Sequence, residues 1–101
     1  MPKLYEYFGL RVYFHANEHE PVHVHGFCQG RESKAAIVIR NGVVVGIRIL
    51  PVAGMRPLRG KALADFRLLI SRKAEDIVHK WIDFFVHHWK IETEIITREL
   101  K

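Results

Sequence analysis

Four histidines, His15, His19, His23 and His25, fall within eleven residues, with Glu18 and Glu20 between them. Imidazole titrates near neutrality, so two such rings can remove and return a proton during transfer at phosphorus without a metal. Imidazole and carboxylate are also common ligands of zinc, iron and manganese. His19, His23 and His25, with Glu18, are therefore a candidate set for a divalent transition metal. A histidine pair two apart arises readily by chance, and no third ligand here has a recognised spacing. The competing structural reading makes the histidines solvated or hydrogen-bonded residues that position the loop from His15 to Pro21.

For these side chains to act together, a strand must hold them. Val22 to Cys28 alternates Val22 and Val24 with His23 and His25, which puts both imidazoles on one face, roughly 7 Å apart at their Cα atoms. Leu10 to Phe14 alternates Leu10, Val12 and Phe14 with Arg11 and Tyr13, and reads as an earlier strand. Gln29-Gly30-Arg31-Glu32 reads as a turn. Two more strands follow, Lys34 to Ile39 and Val43 to Leu50, separated by Asn41-Gly42.

A two-residue loop at Asn41-Gly42 would put Arg40 opposite Val43 and split the apolar face. A three-residue loop, Arg40-Asn41-Gly42 with Gly42 left-handed, pairs Ile39 with Val43, Ile37 with Val45 and Ala35 with Ile47, and is the preferred register. By these parities the face away from the core carries Arg11, Tyr13, His15, His23, His25, Lys34 and Arg48, with Arg40 in the turn. Such a basic and aromatic surface suits the phosphates and bases of RNA. His23 and His25 would then transfer protons or contact phosphate, with Arg11, Tyr13, Lys34 and Arg48 positioning the nucleic acid. Val38, Val44 and Leu50 share that parity, leaving part of the face for another segment or a partner to cover.

Pro51 to Gly60 holds two prolines and two glycines, which stops the strand run. From Leu63 on, Leu63, Phe66, Ile70, Ala74, Ile77, Trp81, Phe84 and Phe85 recur every three or four residues, the mark of an amphipathic helix. The Ser71-Arg72-Lys73 stretch either divides this pattern into two helices, the preferred reading, or curves one. Trp81, Phe84, Phe85 and Trp89 read as core or interface packing rather than a stacking platform. His79, His87 and His88 fall on helical surface and take no role. Lys90 to Lys101 fits either an edge strand, through Ile91, Thr93 and Ile95, or a fraying helix end. The expected architecture is α+β: a four-stranded antiparallel meander, then one or two C-terminal helices packed on one sheet face, with a C-terminal edge strand as an option.

With 101 residues, 49% hydrophobic and 27% charged, the chain supports one domain, residues 1–101, with one core. No apolar run approaches the roughly 20 residues that span a bilayer, and the start lacks the apolar stretch of a secretory signal. Cys28 is the sole cysteine, which rules out an internal disulfide; together these point to the cytoplasm. A net charge of +5 favours acidic partners such as RNA, DNA or an acidic protein surface, and no run of like charges marks a disordered binding tail.

Met1-Pro2 followed by Phe8-Gly9, the strand ending in Tyr13-Phe14, and above all Asn17-Glu18-His19-Glu20-Pro21-Val22-His23-Val24-His25 resemble a bacterial family of unknown function numbered 4160. Its recurring feature is a His-x-Pro-x-His-x-His segment after the first strand, and here His19, Pro21, His23 and His25 fill the four places. The resemblance covers the first half of the chain, and the helix ending near Trp81 is similar in kind. The segment after Trp81, including His87-His88-Trp89, departs from the shorter members. The family has no established activity. The resemblance implies a small protein partner encoded by an adjacent gene, in a toxin–antitoxin-like pair, and adds functional weight to His19, His23 and His25. Three functions stay open: a module that binds or acts on RNA, a metal-binding module, and a non-enzymatic protein that docks a partner or a second copy of itself through apolar strand edges or the C-terminal helix.

Overall fold

The computed structural model describes residues 2–15 and 22–101. Among them the chain forms β1 (Lys3–Tyr7), β2 (Leu10–Tyr13), β3 (His23–Cys28), β4 (Arg31–Arg40), β5 (Val43–Pro51), α1 (Gly60–Phe85) and β6 (Glu94–Ile96). The six strands make one sheet in the order β5-β4-β3-β2-β1-β6, antiparallel throughout except that β6 joins β1 in parallel. The α+β class and the antiparallel meander match the sequence reading, and the segment after Trp89 does supply an edge strand. None of the described helices is long and apolar enough to cross a membrane.

β1 was not anticipated. Leu4, Tyr5 and Tyr7 are all buried, and the register with β2 shifts between Lys3 and Tyr5. That bulge places two consecutive side chains inward and erases the period-two signal. The helix is single rather than divided, running unbroken over 26 residues. Ser71 and Arg72 lie on its solvent side, and the stretch contains neither glycine nor proline to interrupt the hydrogen-bond ladder. It ends at Phe85, so His87 and His88 follow the helix instead of lying on it.

Three two-residue turns join the meander at Phe8-Gly9, Gln29-Gly30 and Asn41-Gly42, and all six residues have positive φ. This is the type I′ geometry whose twist matches that of paired strands. Asn41-Gly42 therefore forms a two-residue loop with Arg40 opposite Val43, not the three-residue loop expected. The split apolar face is avoided by a bulge: Ile39 pairs Val44 and Val38 pairs Gly46, leaving Val45 extra. Beyond it Ile37 pairs Ile47 and Ala35 pairs Ile49, and Val44 turns toward the core rather than away from it.

The helix lies on one sheet face, burying Phe66, Leu69, Ile70, Ala74 and Ile77 against Leu10, Val12, Phe14, Val24, Ala35 and Ile37. Trp81, Phe84 and Phe85 extend this layer, the last two against Phe14, whereas Trp89 is exposed with its ring stacked on His87. Contact is closest at Gly26, where a Cβ would stand 2.5 Å from the Phe66 ring. Only glycine lets the helix approach this strand.

Candidate functional site

Strand pairing builds the outer face of the sheet in rows. Tyr13, His25, Lys34 and Leu50 form one row across β2 to β5. Arg11, Phe27 and Glu32 form the next, toward the β3–β4 turn. His23, Ala36 and Arg48 form the row on the other side. The expected outer-face residues thus do share one face, opposite the helix.

At the centre of this face the His25 Nδ1 lies 2.8 Å from Glu32 Oε2. His25 is 3% exposed, and the Glu32 side chain only 16%. A buried imidazole needs a hydrogen-bond partner, and Glu32, diagonal to it across β3 and β4, supplies a charged one. Their backbones are fixed by the β3–β4 ladder, and Glu32 N–H also donates to the Arg56 carbonyl at 2.9 Å. His15, just after β2, stacks its ring on His25 at 3.5 Å between centroids and 11° between planes. Its Nε2 stands 3.7 Å from the same Glu32 oxygen. His23, buried at 7% exposure, approaches the His25 ring edge-on at 5.4 Å.

A cavity of about 370 Å³ opens on these groups, lined by Arg11, Tyr13, His15, His25, Phe27 and Glu32. The Arg11 guanidinium sits 5.3 Å from the Phe27 ring centre, a cation–π contact that leaves an aromatic and a cationic group side by side on the wall. At the same end, Arg31 has its guanidinium pKa lowered by desolvation first and then by the charges of Arg59 and Arg56. Three arginines thus gather beside the β3–β4 turn.

Of the residues singled out from the sequence, Arg11, Tyr13, His15 and His25 line the cavity. Lys34 is His25's cross-strand neighbour, His23 touches the site through the His25 ring, and Arg48 lies two strands from His23, away from the cavity. Glu18 and His19 lie outside the described residues. Sequence reasoning missed Glu32 and Phe27 as site residues. The sequence reading puts Glu32 in the turn, whereas the two-residue turn at Gln29-Gly30, with glycine second, returns it to β4. A second hollow, of about 400 Å³, lies between the β4–β5 turn and the helix, lined by Gly42, Val43, Val44, Glu75, Val78, His79 and Ile82.

In comparisons with known proteins, the model of the family described as a domain of unknown function, DUF4160, matches residues 9–82. No curated protein and no solved structure matches the chain.

Proposed function

The chain belongs to the DUF4160 family, a domain of unknown function, and from the geometry of its outer sheet face we propose that it is an RNA-binding module. The observation that carries this reading is the cavity in which Arg11, Tyr13 and Phe27 stand beside His15 and His25, on a protein of net charge +5. Single-stranded RNA offers both partners such a wall needs: a phosphate for the guanidinium and an unstacked base for the aromatic rings. Lys34 and Arg48 extend the cationic track across the sheet. The small protein partner that the family resemblance implies makes this module one half of a toxin–antitoxin-type pair. The test is binding of a fluorescent single-stranded oligoribonucleotide at rising salt. Affinity at low salt that falls steeply with ionic strength supports the reading; absence of affinity at low salt removes it.

The His25–Glu32 pair favours a second reading, acid–base action on the bound strand. A neutral His25 that donates its Nδ1 proton to Glu32 has Nε2 as the basic nitrogen of its ring. It would take the proton of a 2′-hydroxyl as that oxygen attacks phosphorus and the bond to the 5′-oxygen breaks, the leaving oxygen taking a proton from a second acid. His15 is poorly placed for that part, because stacked rings lie on the same side of any phosphate they meet. His23, edge-on to His25, is the candidate acid. Products ending in a 2′,3′-cyclic phosphate, lost in His25→Ala, would distinguish this activity from binding alone.

A further inference from the structure

We propose that His15, His25 and Glu32 form a site for a divalent transition metal, zinc above all, with an open coordination position facing the cavity beside Arg11. One ligand atom from each residue lies within 4.8 Å of the other two. Zinc holds nitrogen and oxygen at roughly 2.0–2.2 Å, which separates tetrahedral ligands by about 3.3–3.6 Å. The separations of 2.8 Å between His25 Nδ1 and Glu32 Oε2 and 3.7 Å between His15 Nε2 and the same oxygen bracket that range.

Two imidazoles and a carboxylate are a donor set that zinc, iron(II) and manganese accept, and three protein ligands leave at least one position for a non-protein ligand. Two of the ligands are held on neighbouring paired strands and shielded from water, which keeps an ion's attraction for them strong. The metal takes the place of the proton between His25 and Glu32, and a neutral His25 accommodates it by carrying its one ring proton on Nε2 instead of Nδ1.

One movement is required. An imidazole lone pair lies in the plane of its ring, and the near-parallel planes of His15 and His25 cannot both contain one ion. His15 must turn off the stack. It lies two residues beyond the end of β2, outside the strand ladder, and its side chain is 29% exposed rather than enclosed in the core.

Two neutral imidazoles and one carboxylate leave a zinc ion with one net positive charge, next to a guanidinium. The open position therefore suits an anion, and inorganic phosphate or a phosphodiester oxygen fits it. This last step rests on the RNA reading, whereas metal binding by the three side chains does not.

The set shares only His25 with the one expected from the sequence. His23 stands outside it, and His19 and Glu18 lie outside the described residues.

Cobalt(II) titration of the whole chain is the test, because a cobalt ion bound by imidazole and carboxylate develops visible d–d absorption. One saturable equivalent is expected, displaced by zinc, with affinity weakened by at least about tenfold in Glu32→Gln and in His15→Ala. His79→Ala, on the exposed side of the helix, serves as the control and should bind unchanged. Because a variant can fail by unfolding, zinc should also raise the melting temperature of the natural chain and leave that of folded Glu32→Gln unmoved. Absence of a saturable band, or a band of equal affinity in both variants, overturns the site. A cobalt spectrum indifferent to added inorganic phosphate overturns the open position beside Arg11. RNA binding by metal-free protein tests the RNA reading separately.

Discussion

The His25 ring nitrogen and the Glu32 carboxylate stand 2.8 Å apart on adjacent strands, two residues out of direct register. Only the two-residue turn at Gln29-Gly30 produces that diagonal. One further residue in the turn would send Glu32 to the helix side of the sheet and leave His25 buried without this partner.

Glu32→Gln keeps the shape and removes the charge. A charge-assisted hydrogen bond in this setting contributes about 1–3 kcal/mol, so the variant should melt about 5–15 °C lower. The Nδ1 proton of His25 should give a slowly exchanging, downfield proton resonance in the natural chain, absent from the variant. A variant that melts at the same temperature and retains the signal would show that Glu32 does not hold the ring.

Gly26→Ala places a methyl group 2.5 Å from the Phe66 ring. The ring is locked between helix and sheet, so the helix must shift, at a cost of about 1–3 kcal/mol measurable by urea unfolding. Gly46→Ala is the comparison, because a Cβ there meets nothing within 4 Å.

Tyr5 makes the fold sensitive to alkali. Burial first, then the hydrogen bond its hydroxyl donates to Asp76 and the charges of Asp76 and Glu94, raise its pKa well above the ordinary phenol value. The unfolded chain loses this proton near pH 10 while the folded chain keeps it. The contribution is therefore fully present below pH 10 and declines by about 1.4 kcal/mol per pH unit above it. Tyr5→Phe should remove that increment from the difference between the two alkaline unfolding curves. Asp76 acts in the opposite direction. Burial would raise its carboxyl pKa, but hydrogen bonds from Tyr5 and Lys80, with the charges of Lys80 and Lys73, outweigh burial and hold it below the ordinary value. Its contribution is present above about pH 4 and is lost as the pH falls through the lowered pKa.

Arg11→Ala should weaken oligoribonucleotide binding and flatten its salt dependence. Each phosphate contact on a single strand adds about 0.7 to the slope of log affinity against log salt, so losing one should lower the slope by that amount. An unchanged slope would place the phosphate elsewhere, and the arginines at positions 31, 56 and 59 would be the next to replace.

Much of this arrangement could be read from residue order. Arg11 and Tyr13 against Leu10 and Val12, and His23 and His25 against Val24, alternate cleanly because neither β2 nor β3 itself carries an extra residue. Where the ladder is irregular the reading failed, and for a local reason each time. Leu4 and Tyr5 point inward together at a bulge, so β1 carried no alternation. Val45 is extra in β5, so the correct two-residue turn looked inconsistent with the apolar face. Glu32 was hidden by one misjudged turn length. The stacking of His15 on His25 depends on where the chain leaves β2, which no pattern of residue types encodes.

The last strand has a consequence for how the molecule comes into being. β6 pairs with β1 across nearly the whole length of the chain, whereas all six cavity-lining residues lie between Arg11 and Glu32, on β2, β3 and β4 or, for His15, just after β2. During synthesis the cavity wall can be laid down by neighbouring strands before the helix and β6 are made, whereas the closing of β6 on β1 must wait for β6 itself. The candidate site is built from pairings local in sequence, and the seam that closes the sheet from a distant one.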